Sequence, residues 1–381
     1  MIIGVPAERK TEEYRVGLMP SGAATLIKNG HEVIIESGAG LGAGFCDEEY
    51  SSSGARVLPK ADHVWEQAEM IVKVKEPQPD EYGSIRCNQI LFCFLHLAPL
   101  PDLTDKLINC GVNAVALETI ETEDGLLPCL MPMSEIAGRM SVQVAATYLT
   151  RDKGGPGILL GGVPGVPPCE VLVLGGGTAG TYAARLASGM GAHVRIMDIN
   201  LGRLSYLEDI FGGRVTTIMS DDYNIETYVP QADILVGAVL LPGGRAPLLV
   251  PESLVREMKS GSVIVDIAVD QGGCVETIKP TTHDDPVYRL HDVTHYGVAN
   301  MPGAVPRTST QALCNSTLPY IIKLANLGLS EAMAQMPSLE RGLNIYTPEG
   351  EGIGVVTNEA VASSLGLAYT PYEQAKAGGG K

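Results

Sequence analysis

The sequence predicts an α/β protein of two doubly wound domains joined by long helices, and three observations predict it. Short β-rich runs alternate with amphipathic stretches from the first residue. The alternation breaks at a run rich in glycine and proline, then restarts. A chain of 381 residues also exceeds what a single core usually organises, so about two domains are expected.

The first group of β-rich runs is IIGVP, HEVIIES, MIVKVK, QILFCFL and NAVALE, with helical patterning around residues 20–29, 60–68 and 100–110. Strands spaced by helices indicate a mainly parallel sheet. Residues 133–150, MSEIAGRMSVQVAATYLT, offer Ser134 as a capping residue and hold no glycine or proline after Gly138. They predict a long helix leaving the first domain. In GGPGILLGGVPGVPP (154–168), six glycines and four prolines fill fifteen residues, a composition that sustains neither a helix nor a central strand. A surface linker and an ordered loop feeding the next strand remain open as alternatives.

The pattern restarts with the strand EVLVLG, the helix GTAGTYAARLASGMG and the strand HVRIMD (193–198). A helix around 200–211, then VTTIM, ADILVGAV (232–239) and SVIVDIAV (262–269), complete a second α/β set. A helical stretch follows at 308–328, and the tail is expected to return to the first domain and make it discontinuous.

Composition narrows the function classes. Apolar residues at 45% and charged residues at 19% are an ordinary globular balance. The opening MIIGVPAERK lacks a secretory pattern, and no apolar run approaches the roughly 20 residues that cross a bilayer, so a soluble, cytoplasmic protein is expected. Eight scattered cysteines without a C-x-x-C pair indicate reduced thiols rather than a disulfide framework or a metal site. With 27 basic against 44 acidic side chains the net charge is −17, which argues against nucleic-acid and membrane partners. An anionic substrate would need local cations to hold it.

Gly175-Gly176-Gly177-Thr178-Ala179-Gly180 is a G-x-G-x-x-G string, weak in a chain with 45 glycines but well placed. It follows an apolar strand and opens a helix, and Asp198 ends the next strand near the expected spacing. This is a Rossmann-like signature, with the helix N-terminus offering N–H groups to a pyrophosphate. Asp198 would accept both adenosine ribose hydroxyls and disfavour a 2′-phosphate, so the expected cofactor is NAD. Arg203 stands where it could reach the adenine end.

Polar residues also stand where strands should end. Arg15 follows the first strand, Lys75 ends MIVKVKEP, and His96 ends the apolar part of LFCFLHLAP. Carboxyl ends of strands are where open α/β sheets bind ligands, so three such residues in one domain suggest a site. Asp270, followed by Gly272-Gly273, is placed similarly in the second domain, while Asp266 reads as a buried structural carboxylate in mid-strand. The loop from Asn300 to Arg307 is rigid and polar enough to line the same region.

At these residues the chain resembles the alanine dehydrogenase family over nearly its whole length. RKTEEYRVGLMPSG, KVKEP, LFCFLHLAP, MSEIAGRMSVQVAATYL, GGVPGVPP, VLGGGTAG, IAVDQGGCVET and NMPGAVPRTST carry the resemblance. The related NAD-binding subunit of proton-translocating transhydrogenase shares much of the layout. The resemblance implies a discontinuous substrate domain (1–128 plus 307–381), an NAD-binding domain (129–306), and a homo-oligomer, commonly a hexamer. It matches Arg15 and Lys75 to substrate carboxylate and carbonyl binding, and His96 and Asp270 to the catalytic pair. Ser134, Gly175, Gly177, Thr178, Ala179, Gly180, Asp198, Arg203, Ser220, Val239, Leu240, Ile267, Asp270, Lys279, Val298 and Met301 fall at or within its cofactor-contact segments. The implied activity is reversible NAD-dependent oxidative deamination of L-alanine to pyruvate and ammonium by hydride transfer. The alternative is a hydride-exchange subunit of the transhydrogenase.

Overall fold

A computed structural model describes residues 1–239 and 246–378. The chain divides into two compact units, Met1–Met133 with Val305–Lys381, and Ser134–Ala304.

The first unit begins with β1 (Ile2–Val5), α1 (Pro20–Lys28), β2 (Glu32–Glu36), α2 (Asp47–Ser52) and β3 (Arg56–Leu58). It continues through α3 (Ala61–Gln67), β4 (Met70–Val72), β5 (Ile90–Cys93), α4 (Pro101–Cys110) and β6 (Asn113–Ala116). Proline opens both α1 and α4, where the first turn needs no N–H, and Gly111 ends α4 in the left-handed region. Helix α5 (Met131–Tyr148) then crosses the boundary between the units. It starts before Ser134, which therefore lies inside the first turn and is not the N-cap that the sequence suggests. Pro132 does not stop the helix because the first turn tolerates proline.

The second unit holds β7 (Glu170–Leu174), α6 (Thr178–Gly189), β8 (His193–Asp198), α7 (Leu201–Phe211), β9 (Val215–Met219) and α8 (Asp222–Tyr228). After these come β10 (Ile234–Gly237), α9 (Glu252–Val255), β11 (Val263–Asp266), β12 (Val287–Leu290) and β13 (Val293–Tyr296). The chain returns to the first unit with α10 (Pro306–Gln335), α11 (Pro337–Gly342), β14 (Leu343–Tyr346), β15 (Val355–Val356), α12 (Glu359–Leu365) and α13 (Tyr372–Gly378).

The first sheet runs β15-β14-β6-β5-β4-β1-β2-β3, parallel from β6 to β3, with β14 and β15 joining antiparallel. The second runs β12-β13-β11-β10-β7-β8-β9, parallel except for β12. The chain is thus α/β with two parallel-rich, doubly wound sheets. The returning tail contributes Ile345, Val356 and Val361 to a core with Trp65, Ile71, Leu91 and Leu107. Each such buried aliphatic contributes roughly 1.5–3 kcal/mol.

The run 154–168 is an ordered loop. Gly157 N–H donates to Leu149 O at 2.9 Å, Val163 and Val166 exchange backbone bonds, and Cys169 N–H donates to Leu160 O at 2.9 Å. Several strands are shorter than the apolar runs that announce them. MIVKVK is a strand only to Val72, and SVIVDIAV only to Asp266, after which Ile267–Gln271 form a 3-10 turn. Among the described residues no helix is long and apolar enough to cross a membrane.

Candidate active site

Strand order reverses between β1 and β4 in the first sheet, and between β7 and β10 in the second. Loops leaving the carboxyl ends of strands diverge at such points and leave room for a ligand. Arg15 follows β1, Lys75 follows β4 and His96 follows β5, so the three lie beyond the carboxyl ends of three adjacent parallel strands.

Arg15 is buried, its side chain only 2% exposed. Its Nε donates to Glu13 Oε1 at 2.6 Å, Nη2 donates to Glu13 Oε2 at 2.5 Å, and Nη1 lies 3.1 Å from Met133 Sδ. Burial alone would raise the Glu13 carboxyl, but the hydrogen bonds and charge of Arg15, helped by Lys75, outweigh it and hold the group below its ordinary value. Lys75 feels the opposite balance. Burial and the Arg15 charge push its ammonium down, and Glu13 offsets only part of that. Arg15 and Lys75 outnumber Glu13, leaving this group of three with net positive charge in an acidic chain.

A second buried network holds the Lys75 backbone. Glu8 accepts from Val74 N–H at 2.6 Å and Lys75 N–H at 3.2 Å. Lys73, fully buried just past β4, lies 3.4 Å from Glu8 and 2.9 Å from Glu81. Burial works against the Lys73 charge, but the two carboxylates raise its pKa on balance. Lys73 is therefore the structural lysine of the KVK run, and Lys75 the half-buried one beyond the strand.

His96 is exposed at the end of the β5 segment with φ of 47°, in the left-handed region. Its ring stacks on Phe94 at 5.9 Å between centroids. Glu118, just past β6, accepts from the N–H groups of Leu95 (3.2 Å to each oxygen) and His96 (2.6 Å), and its Oε1 is 3.9 Å from His96 Nδ1.

In the second unit Gly175 takes φ of 100°, and a Cβ there would lie 2.6 Å from Ala238 O. A Cβ on Gly180 would lie 1.8 Å from Gly175 O, so helix α6 packs on its strand only with glycine there. At Gly177 the space is open, and no side-chain hydrogen bond caps α6 among the described residues. Asp198 Oδ2 accepts from Gly176 N–H at 2.7 Å and Oδ1 from Asn200 N–H at 2.8 Å. Arg203 turns back on the glycine turn, Nε donating to Gly176 O at 2.5 Å and Nη2 to Thr181 Oγ1 at 2.7 Å. An uncapped helix start, open backbone and an adjacent carboxylate fit a dinucleotide.

The structure brings most of the remaining cofactor candidates to one edge. Thr178 and Ala179 open α6, Ser220 follows β9, Val239 follows β10, Ile267 and Asp270 follow β11, and Val298 and Met301 follow β13. All sit beyond the carboxyl ends of parallel strands. Asp270 is exposed, whereas Asp266 is 1% exposed and accepts from Ala268, Cys274 and Val275 N–H, as a structural carboxylate should. Lys279 lies beside Val298 through its backbone, its O 2.5 Å from where a Cβ on Gly297 would stand, and its ammonium is 4.5 Å from the Tyr288 ring centroid. Ser134 lies one turn before Gly138, where a Cβ would come 2.1 Å from Ala179 O, so α5 lies against the start of α6. Leu240 lies outside the described residues.

Fold and site together define an α/β protein whose second sheet carries a dinucleotide-type glycine turn and whose first carries a strand-end cationic group. The family models "Alanine dehydrogenase/PNT, N-terminal domain" and "Alanine dehydrogenase/PNT, C-terminal domain" match residues 4–137 and 141–350. The chain belongs to the alanine dehydrogenase/PNT family. It is 53% identical to alanine dehydrogenase of Methanococcus maripaludis, over 98% of this chain and 99% of that protein. It is also 53% identical to alanine dehydrogenase of Bacillus subtilis, over 98% of this chain and 97% of that one. A solved L-alanine dehydrogenase superposes with a TM-score of 0.91 at 54% identity, covering 96% of this chain and 99% of that chain. A transhydrogenase from Sinorhizobium meliloti, with a TM-score of 0.80 at 22% identity over 93% of this chain and 100% of that chain, shares the fold.

Three side chains in these networks escape the sequence reading. Glu13 lies two residues from Arg15, a spacing that puts two side chains on one side wherever a chain is extended, which is a legible signal. Glu118 ends NAVALE just as Lys75 and His96 end their runs, so the same strand-end logic reaches it. Glu8 gives no local signal, because its partners, the Val74 and Lys75 N–H groups and the Lys73 ammonium, lie far along the chain.

Proposed function

We propose that the chain catalyses the reversible reaction L-alanine + NAD⁺ + H₂O → pyruvate + NH₄⁺ + NADH + H⁺. The observation that carries the proposal is the strand-end cationic group of Arg15, Lys75 and Glu13, a local anion site in a chain of net charge −17. Near full-length identity to curated alanine dehydrogenases supports the choice of substrate.

In this reading the substrate domain comprises 1–128 and 307–381, and the NAD domain 129–306. The cofactor is held by the Gly175–Gly180 turn and Asp198, with Ser134, Arg203, Ser220, Val239, Leu240, Ile267, Lys279, Val298 and Met301 as further contacts. When bound, it accepts the hydride that leaves the substrate Cα. Arg15 orients the substrate carboxylate through its guanidinium, which Glu13 holds in place at Nε and Nη2. Lys75 polarises the substrate oxygen and steadies negative charge developing on it. His96 takes a proton from that oxygen in deamination and returns it in amination. Asp270 steers water or ammonia and balances positive charge at the substrate nitrogen.

We place the protein in the cytoplasm as a homo-oligomer, a hexamer by resemblance. Leu159, Val163 and Val166, all more than half exposed on one ordered loop, are surface that assembly would cover. Light scattering on the purified protein measures the assembly. The activity is tested by NADH formation from NAD with a panel of L-amino acids, repeated with NADP. Turnover with L-alanine and NAD is expected. Absence of NADH with alanine, together with hydride exchange between nicotinamide analogues, would overturn the proposal in favour of a transhydrogenase-type subunit.

A further inference from the structure

We propose that Glu118 is the positioning residue for His96, holding its backbone in the strained conformation that aims the imidazole; this rests on the acid/base role given to His96 above. A φ of 47° places His96 in a region that residues with side chains rarely adopt, and such a residue stays there only when its surroundings enforce it. The enforcing contact is one carboxylate. Glu118 accepts the Leu95 N–H with both oxygens, at 3.2 Å each, and the His96 N–H with Oε1 at 2.6 Å.

Bonds from amides to an ionised carboxylate are stronger than those between neutral groups, and these converge on the two peptides that set the His96 turn. The Glu118 side chain is 14% exposed, so water competes weakly for the same oxygens. The next residue is tied down beside it: Thr119 Oγ1 donates to Asn344 Oδ1 at 2.9 Å and lies 3.2 Å from Ala116 O. The distance of 3.9 Å from Oε1 to Nδ1 exceeds a hydrogen bond. Glu118 therefore acts on the ring through the backbone, while Phe94 supports the ring face.

Without that acceptor the His96 backbone relaxes toward an ordinary region, its Cα–Cβ direction turns, and the imidazole leaves its place. A displacement of about 1 Å in catalytic geometry costs on the order of 100-fold in rate. A glutamine at 118 keeps one carbonyl oxygen that both amides can share, so it separates holding the turn from carrying charge.

The experiment compares wild type, Glu118→Ala and Glu118→Gln in the full chain, by steady-state kinetics and by amide hydrogen exchange read by mass spectrometry. Glu118→Ala is expected to lower kcat by about 100-fold with KM for NAD within about twofold, and to speed exchange at Leu95 and His96 by about tenfold or more. Glu118→Gln is expected to restore most of both. Wild-type kcat in Glu118→Ala, or equal losses in the two variants, would overturn the proposal. If wild type fails to oxidise alanine, the functional reading falls by itself; exchange at the two amides then decides, and unchanged protection in Glu118→Ala overturns the positioning role.

Discussion

Glu13 grips Arg15 from two residues away, through a paired contact of 2.6 and 2.5 Å in which neither side chain is more than 2% exposed. A guanidinium buried this deeply depends on its partner. Glu13→Ala should destabilise the protein by about 3–5 kcal/mol, the usual cost of orphaning one member of a buried pair. Denaturant unfolding of the variant measures it, and a midpoint equal to wild type would show that another group takes over the charge.

The pKa shifts of Glu13 and Lys75 both make the fold more stable as pH rises, in different pH windows. Glu13 has its folded pKa depressed, so its contribution to stability is present above its unfolded value and is lost as pH falls through the folded one. Lys75 also has its folded pKa depressed, by burial and by Arg15, but for a cation this costs stability at low pH. That cost disappears as pH rises from the folded value toward the unfolded one, near 10.4. A bound substrate anion favours the charged amine, so binding of a non-reacting 2-oxo acid analogue should weaken as pH climbs past the lowered Lys75 pKa. Calorimetric titration from pH 7 to 10 checks this, and Lys75→Arg, which stays charged, should flatten the curve. A slope that survives in Lys75→Arg assigns the effect elsewhere.

Gly138 sets the spacing of α5 on α6. A Cβ there would lie 2.1 Å from Ala179 O, so Gly138→Ala must push the two helices apart. Overpacking of this kind costs about 1–3 kcal/mol. Because Ala179 belongs to the first turn of α6, KM for NAD should rise while KM for pyruvate changes little. Thermal unfolding and the two KM values report the outcome, and a rise confined to pyruvate would place the effect in the other unit.

Asp198 supports the glycine turn and, in the proposed function, sets the choice of dinucleotide. Asp198→Ala removes the acceptor for Gly176 and Asn200 N–H and the group that disfavours a 2′-phosphate. Catalytic efficiency with NAD should fall about 10- to 100-fold, with a smaller loss for NADP. Paired kinetics with the two cofactors test it, and an unchanged NAD-to-NADP ratio would remove Asp198 from the ribose site.

The two-sheet α/β architecture was legible because buried parallel strands write themselves as apolar runs, and HVRIMD matches β8 residue for residue. What sequence hid was mostly non-local. The antiparallel strands β14 and β15 are short, and gain their burial only as β14 joins β6 and β15 joins β14, so their local pattern is faint. Strand ends were overrun where apolar residues continue into turns, as at Ile267–Val269, because period and composition do not register a 3-10 turn. Arg15, Lys75 and His96 stood out as polar residues at the ends of apolar runs. Of the carboxylates that hold them, Glu13 and Glu118 carry a signal in spacing and position, whereas Glu8 carries none, since its partners are distant in sequence.

Direct hydride transfer from substrate to cofactor is the step on which everything above depends. L-Alanine deuterated at Cα, incubated with NAD and the protein, should give NADH one mass unit heavier and pyruvate without the label at its carbonyl carbon. Mass spectrometry of the reduced cofactor reads this in one experiment. Labelled NADH in proportion to pyruvate agrees with the account, and NADH formed without the label, or no NADH at all, contradicts it.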